Sequence, residues 1–237
     1  MFRYFCFFAV ILAVQSASAP FITPCKAGDN ACIVSSAQAA VPSIADGVPD
    51  LGIKPLDPMV IPLIQSDQGG LHLVFRDTVV TGMKGCVVEG IKHDLSKSKQ
   101  TVTIRCSVTL KGDYTLDGRI IILPVQGEGK YTITIRDILI KTFTELKTVQ
   151  GSDGKPHWHI QNWSYKYDTK TGAHFQFDNL FNGNRILADP VDQFLNSNWR
   201  EVMQEVAPPI VKATVQGVVE AVEALYKAVP AEHLFIS

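Results

Sequence analysis

From Val191 to Val229 apolar side chains recur at Phe194, Trp199, Val202, Val206, Ile210, Ala213, Gly217, Ala221 and Leu225. Steps of three to five keep them on one face of an α-helix. At 1.5 Å per residue such an element runs roughly 55 Å, well beyond an ordinary domain helix. Pro208-Pro209 fall inside it and predict a kink, because an interior proline removes a backbone donor. An apolar stripe of this length has to be covered by something equally long.

The middle of the chain supplies that cover. From Gly69 to about Gln176 the texture is that of strands. In TVTIRCSVTL, residues 101–110, Val102, Ile104, Cys106, Val108 and Leu110 share one face, and Thr101, Thr103, Arg105, Ser107 and Thr109 take the other. That alternation describes a half-buried antiparallel strand. In KYTITIRDILI, residues 130–140, Tyr131, Ile133 and Ile135 are in phase, whereas Ile138 and Ile140 continue one step out. A phase slip at Arg136-Asp137 is the mark of a β-bulge, which bends and twists a strand. RIIILPV (119–125) and HWHIQNWSYKY (157–167) read as further strands, with Gly151-Ser152-Asp153-Gly154 as a turn. A long curved sheet with one apolar face and a long helix with one apolar face have a common solution. The expected fold is α+β, with the sheet wrapped around the C-terminal helix.

Between an N-terminal helix at residues 30–46, capped by Asp29 or Asn30 and bent or ended by Pro42, and the strands lies GVPDLGIKPLDPMVIP, residues 47–62. Four prolines and two glycines stop it from forming a helix or a central strand, yet it is too apolar to be a solvated linker. It reads as an extended strap over apolar surface.

The first nineteen residues, with Arg3, a run of Phe, Val, Ile and Leu, and Ala17-Ser18-Ala19 at the end, read as a secretory signal peptide. Their apolar run is too short to cross about 30 Å of hydrocarbon. The mature chain, residues 20–237, is then expected to be one exported domain. Export favours disulfides, and four cysteines remain. Cys25 and Cys32 stand close together ahead of a helix and pair as a clamp on the N-terminus. Cys86 and Cys106 flank the polar turn DLSKSKQ (94–100). A hairpin folded at Ser96 sets Val88 opposite Ile104 and the two cysteines opposite each other, which allows a cross-strand disulfide, with two buried thiols as the alternative. Asn162-Trp163-Ser164 is a glycosylation sequon, making Asn162 the acceptor in a secreted chain.

With 22 basic and 23 acidic residues the chain lacks the basic footprint of a nucleic-acid binder and has no lysine block for anionic membranes. No Gly-x-Ser-x-Gly elbow, His-Glu-x-x-His helix or Gly-x-x-x-x-Gly-Lys loop occurs. Nothing in these motifs argues for a catalytic site, so no enzyme and no cofactor is expected. His157 and His159 share a strand face at a spacing a metal can use, but no third ligand is near in sequence, so no metal is expected.

Five ordered stretches resemble one family, the insect takeout and juvenile hormone-binding proteins. They are the Cys25–Cys32 pair, the strap GVPDLGIKPLDPMVIP, IIILPVQGEGKYTI (120–133), FDNLFNGNRILADPVDQFLNSNWREVMQEVAPPI (177–210) and LYKAVPAEHLF (225–235). Two departures stand out. Ala188 replaces a glycine usual in a Leu-Gly-Asp turn, and Cys86 and Cys106 lie outside the takeout-type pattern. The resemblance implies a curved sheet around a long helix enclosing an apolar tunnel for one small lipophilic ligand, such as a terpenoid hormone, a fatty acid or an odorant. It also implies a secreted, monomeric carrier that does not insert stably into membranes. The alternative is a takeout-like signalling protein of feeding or circadian output, acting through a receptor or a lipid surface; an esterase is the weaker third reading.

In such a tunnel Trp199, Val202 and Val206 on the helix, with Val88, Ile104, Ile133 and Ile135 on the strands, are candidate ligand contacts, ordinary core packing being the alternative for each. Tyr114 and Tyr131 are candidates to offer a hydroxyl to a ligand's polar group. Asn196, Asn198 and Asp189 are expected to cap the helix start. The strap is expected to lie as a lid on the cavity wall.

Overall fold

The computed structural model describes residues 18–236; the greater part of the expected signal peptide lies outside them. A short strand β1 (Cys25–Lys26) leads into helix α1 (Asn30–Asp46), which runs on through Pro42. The Asp29 side chain accepts from the Cys32 N–H at 3.0 Å and caps its start. Six strands follow: β2 (Met59–Gln68), β3 (Leu71–Thr81), β4 (Val87–Asp94), β5 (Lys99–Ile120), β6 (Leu123–Gln150) and β7 (Pro156–Phe177). The chain closes with α2 (Arg185–Ser197), α3 (Trp199–Ala228), a single turn α4 (Ala231–Leu234) and β8 (Phe235–Ile236), which pairs in parallel with β1.

The main sheet is antiparallel in the order β2-β3-β5-β6-β7, and β4 pairs with the first part of β5. Strand β6 is 28 residues long, and β5 and β7 are 22 each. Flat strands of that length would splay away from one helix. Register shifts between Cys106 and Val108, and between Arg136 and Ile138, bend them, the second falling at the phase slip in the sequence. Asp137 sits there with φ 50°, its N–H donating to Ser107 Oγ at 3.1 Å. The sheet curls until its outermost strands, β2 and β7, both lean on α3. This is the α+β wrap expected from the two apolar faces.

Two helical boundaries differ from the sequence reading. The rod expected over 191–229 starts earlier, at Arg185, and is divided at Asn198, where φ −111° and ψ 35° leave the helical region. The helix runs on through Pro208-Pro209. Asn198 does not cap α3; its Nδ2 donates back to the Phe194 carbonyl at 2.9 Å and finishes α2. Asp189 is not a cap either, because Asn184 fills that position, its side chain accepting from Ile186 N–H. Ala188 lies within α2, so no tight turn is asked of it. RIIILPV is not one continuous strand: Ile121-Ile122 form a hairpin tip between the end of β5 at Ile120 and the start of β6 at Leu123. Ile121 takes φ 60° there and donates its N–H to Glu205 on α3 at 2.7 Å. An isoleucine-rich turn carries none of the usual Gly or Asn signal.

Edge strands are protected by side-chain amides that imitate a neighbouring strand. Gln38 of α1 accepts from Val88 N–H at 2.7 Å and donates to the Cys86 carbonyl at 3.2 Å along β4. Asn196 of α2 accepts from Phe175 N–H and donates to the Phe175 carbonyl, both at 2.9 Å, along β7. Asn196 thus docks a helix instead of capping one.

Both disulfides are formed, Cys25–Cys32 and Cys86–Cys106. Val88 pairs with Ile104, the register that sets Cys86 beside Cys106.

The strap divides in function. Pro49–Leu51 forms a 3₁₀ turn closed by the Val48–Ile53 bridge, and Met59 to Pro62 join edge strand β2, where a missing donor is tolerated. Leu51, Ile53, Leu56 and Met59 are buried in the main core. Between them Asp57 accepts from Gly82 N–H at 3.2 Å and Lys84 N–H at 2.9 Å, which fixes the β3–β4 connection to the strap.

Candidate functional site

The space between the concave sheet and α3 is apolar over its middle third. Ile104, Cys106, Val108 and Leu110 of β5 and Ile135, Ile138 and Ile140 of β6 face Ile210, Val211, Val215 and Val218 of α3, with Met83 at the side. Only Thr142 and Thr214 bring oxygen to this wall, and the Thr214 hydroxyl is spent on the Ile210 carbonyl at 3.0 Å. The wall is thus built for hydrocarbon. The open volume is about 40 Å³, comparable to the roughly 30 Å³ that one water occupies in the liquid. The expected tunnel is a narrow seam here, and a terpenoid needs its walls to part.

Of the candidate contacts read from the sequence, Ile104 and Ile135 lie in this wall. Ile133, Val202 and Val206 are buried in the core outside it, Trp199 packs partly buried near the start of α3, and Val88 sits on β4 beside α1. Tyr131 and Tyr114 belong to an aromatic cluster further along the strands. Phe75 and Tyr131 have ring centroids 4.3 Å apart, and Tyr114 meets Phe177 edge-on at 4.9 Å. Their hydroxyls are engaged within the protein: Tyr131 pairs with Thr78 Oγ1 at 2.7 Å, and Tyr114 donates to the Asp178 carbonyl at 2.7 Å. Burial pushes Tyr131 up to about 12 and Tyr114 upward as well, so both stay protonated. The residues that sequence reasoning missed, Ile138, Ile140, Val211, Val215 and Met83 among them, are ordinary apolar residues. The phase change at the bulge did mark Ile138 and Ile140 as inward-facing.

The histidine pair is structural. His157 is buried, with Nε2 3.0 Å from Asp153 and Nδ1 3.3 Å from the Tyr226 carbonyl. His159 lies 2.6 Å from Glu223, whose other oxygen accepts the Ile160 N–H at 2.7 Å. These contacts fasten β7 to the end of α3. Among the described residues no group of three or more His, Cys, Asp or Glu is placed to hold a metal ion.

Burial works against the Glu223 carboxylate, but hydrogen bonds from Ile160 N–H, His159 and Lys227 outweigh it and hold the group below its ordinary 4.5. A depressed folded-state value means that the stabilisation is complete above the unfolded value and is lost as pH falls through the folded one. Glu223→Gln is therefore expected to be less stable than the parent near neutral pH, with the gap closing as pH falls below the ordinary 4.5 and through the lowered folded-state value. Urea midpoints across that range measure it, and a gap that widens in acid would contradict the assignment.

The fold has counterparts among known proteins. The structure of Takeout 1 from Epiphyas postvittana superimposes with a TM-score of 0.88 at 30% identity, covering 91% of this chain and 100% of that one. The circadian clock-controlled protein daywake of Drosophila melanogaster is 27% identical over 224 residues, which is 89% of this chain and 85% of daywake. A putative beta-carotene-binding protein of Schistocerca gregaria is 24% identical over 135 residues, covering 55% of this chain and 53% of its own length. The model of the haemolymph juvenile hormone binding protein family matches residues 4–236. The sheet wrapped on α3, the apolar seam it encloses and this end-to-end match together place the chain in the haemolymph juvenile hormone binding protein family.

Proposed function

We propose that the protein is a secreted carrier of one small lipophilic molecule, held between the sheet and α3. The observation that carries this reading is the seam itself, where β5, β6 and α3 present hydrocarbon with almost no polar atom. Terpenoids, carotenoid-like chains and fatty acids are the ligand class this favours, and the names of the related proteins point the same way. Each buried CH₂ contributes about 0.8 kcal/mol, so a chain of some fifteen carbons reaches roughly micromolar affinity after association costs. The mechanism is equilibrium sequestration, not turnover. Two disulfides support export, with residues 1–19 removed as a signal and residues 20–237 acting as one monomeric domain. Asn162, exposed on β7, is the proposed glycan acceptor.

The likeness to daywake supports a second reading, in which the loaded protein also reports ligand supply to a receptor in circadian output.

The test is displacement of a fluorescent fatty acid from the purified protein by a C15 terpenoid ester, with mass spectrometry of the extracted ligand. Saturable one-to-one displacement with the competitor recovered intact is expected. No probe binding and no extractable lipid would overturn the carrier reading, and a hydrolysed competitor would overturn the non-catalytic one.

A further inference from the structure

Helix α3 is held unequally on its two sides. Towards β7 it is fastened by polar contacts. Glu223 accepts from Ile160 N–H at 2.7 Å and meets His159 at 2.6 Å, while the Tyr165 and Tyr167 hydroxyls donate over longer distances, 3.4 and 3.3 Å, to the carbonyls of Pro208 and Met203. Towards β2 and the strap no hydrogen bond or ion pair joins α3 to residues 47–81 among the described residues. That side is closed by side-chain packing alone.

A groove of about 430 Å³ runs along this unfastened side, between α3 and the strap with β2. Its volume lies within the roughly 300–1,000 Å³ of small-molecule sites. Its lip carries Val60 and Leu63, 62% and 57% exposed, apolar side chains on an edge strand. Its floor is Met59 against Gly217, where an added Cβ would stand 3.0 Å from the Met59 sulfur and terminal methyl. On the same turns of α3, Thr214, Val215 and Val218 line the interior seam. A flexible thioether over a glycine is a barrier that moves without breaking a hydrogen bond.

We propose that this groove is a surface binding site for the apolar chain of the ligand and its way into the seam, with Met59 as the side chain that yields and the α3–β7 contacts as the hinge. The proposal rests on the carrier reading and deepens it. The occupant is a single hydrocarbon chain, because Met59, Val60 and Leu63 offer it apolar surface and the seam on the same turns of α3 is hydrocarbon too. Lys54, Gln216 and Glu220 on the rim offer both charge signs and select no headgroup.

The experiment is stopped-flow binding of cis-parinaric acid, a fluorescent fatty acid, to the full folded chain. Met59→Ala should raise association and dissociation rates together by several-fold, with a much smaller change in Kd. A Met59→Cys, Gly217→Cys pair joins the two walls, since Met59 Cγ lies 4.0 Å from the place of a Gly217 Cβ. When oxidised it should slow association about tenfold or more and recover on mild reduction, with Gly217→Cys alone as the control. Unchanged rates in Met59→Ala, or wild-type association in the oxidised pair, overturn the route while leaving the carrier reading intact. Failure of the wild-type protein to bind the probe overturns the carrier reading, and the route with it.

Discussion

Phe75→Ala is expected to lower the melting temperature by roughly 10 °C. Phe75 is fully buried, with its ring 4.3 Å from Tyr131 and stacked at 6.4 Å on Phe177. It pairs across β3 and β5 with Tyr114, so its removal empties the middle of a four-ring cluster. Phenylalanine-to-alanine changes in such cores cost about 3–5 kcal/mol, because the cavity left behind collapses only in part. In a chain of this size each kcal/mol moves the midpoint by roughly 2–4 °C. The cluster lies outside the seam wall, so ligand affinity well below the midpoint should change far less than stability. Thermal unfolding followed by circular dichroism measures the first effect and probe titration the second. A shift below about 3 °C would show that the surrounding rings refill the space.

Replacing Cys86 and Cys106 together by serine should cost about 3 kcal/mol by the chain-entropy argument, since the bond closes a loop with a sequence separation of 20. The consequence extends to the ligand. Cys106 is part of the seam wall, and Met83, another wall residue, sits three positions before Cys86. The double variant therefore loosens one side of the seam and puts a hydroxyl where a disulfide sulfur was. Both the urea midpoint and the affinity for an apolar probe should fall. The Cys25, Cys32 pair closes a shorter loop, with a separation of 7, around the short β1–β8 pairing near the chain ends. Its removal should fray the ends and leave seam affinity nearly unchanged. Equal losses of affinity in the two variants would contradict this division of labour.

Local patterns in the sequence carried several features through to the structure. The phase slip at Arg136-Asp137 is a register shift in β6, and the hairpin folded near Ser96 does pair Val88 with Ile104. Each is a relation between residues near one another along the chain, where periodicity and turn chemistry act. The division of the rod at Asn198 was not legible, because the apolar steps continue across it unchanged. Nor was the hairpin tip at Ile121-Ile122, whose residues are apolar and whose N–H is satisfied by Glu205 from α3. The candidate site was less legible still. Tyr114 and Tyr131 are suitable donors for a ligand until Asp178 and Thr78 are seen to hold them.

Hydrophobic period, proline placement and cysteine spacing therefore determined the sheet, the long helix, the strap and the wrap of one on another, since each follows from short-range geometry and the need to cover an apolar face. Tertiary structure alone decided which apolar residues form the seam and which form solid core. It also decided which polar groups are already partnered, and that α3 is tied on its β7 side but only packed on its β2 side. Those outcomes depend on contacts between residues far apart in the chain, and burial looks the same in sequence whether the space beside a side chain is filled or left open.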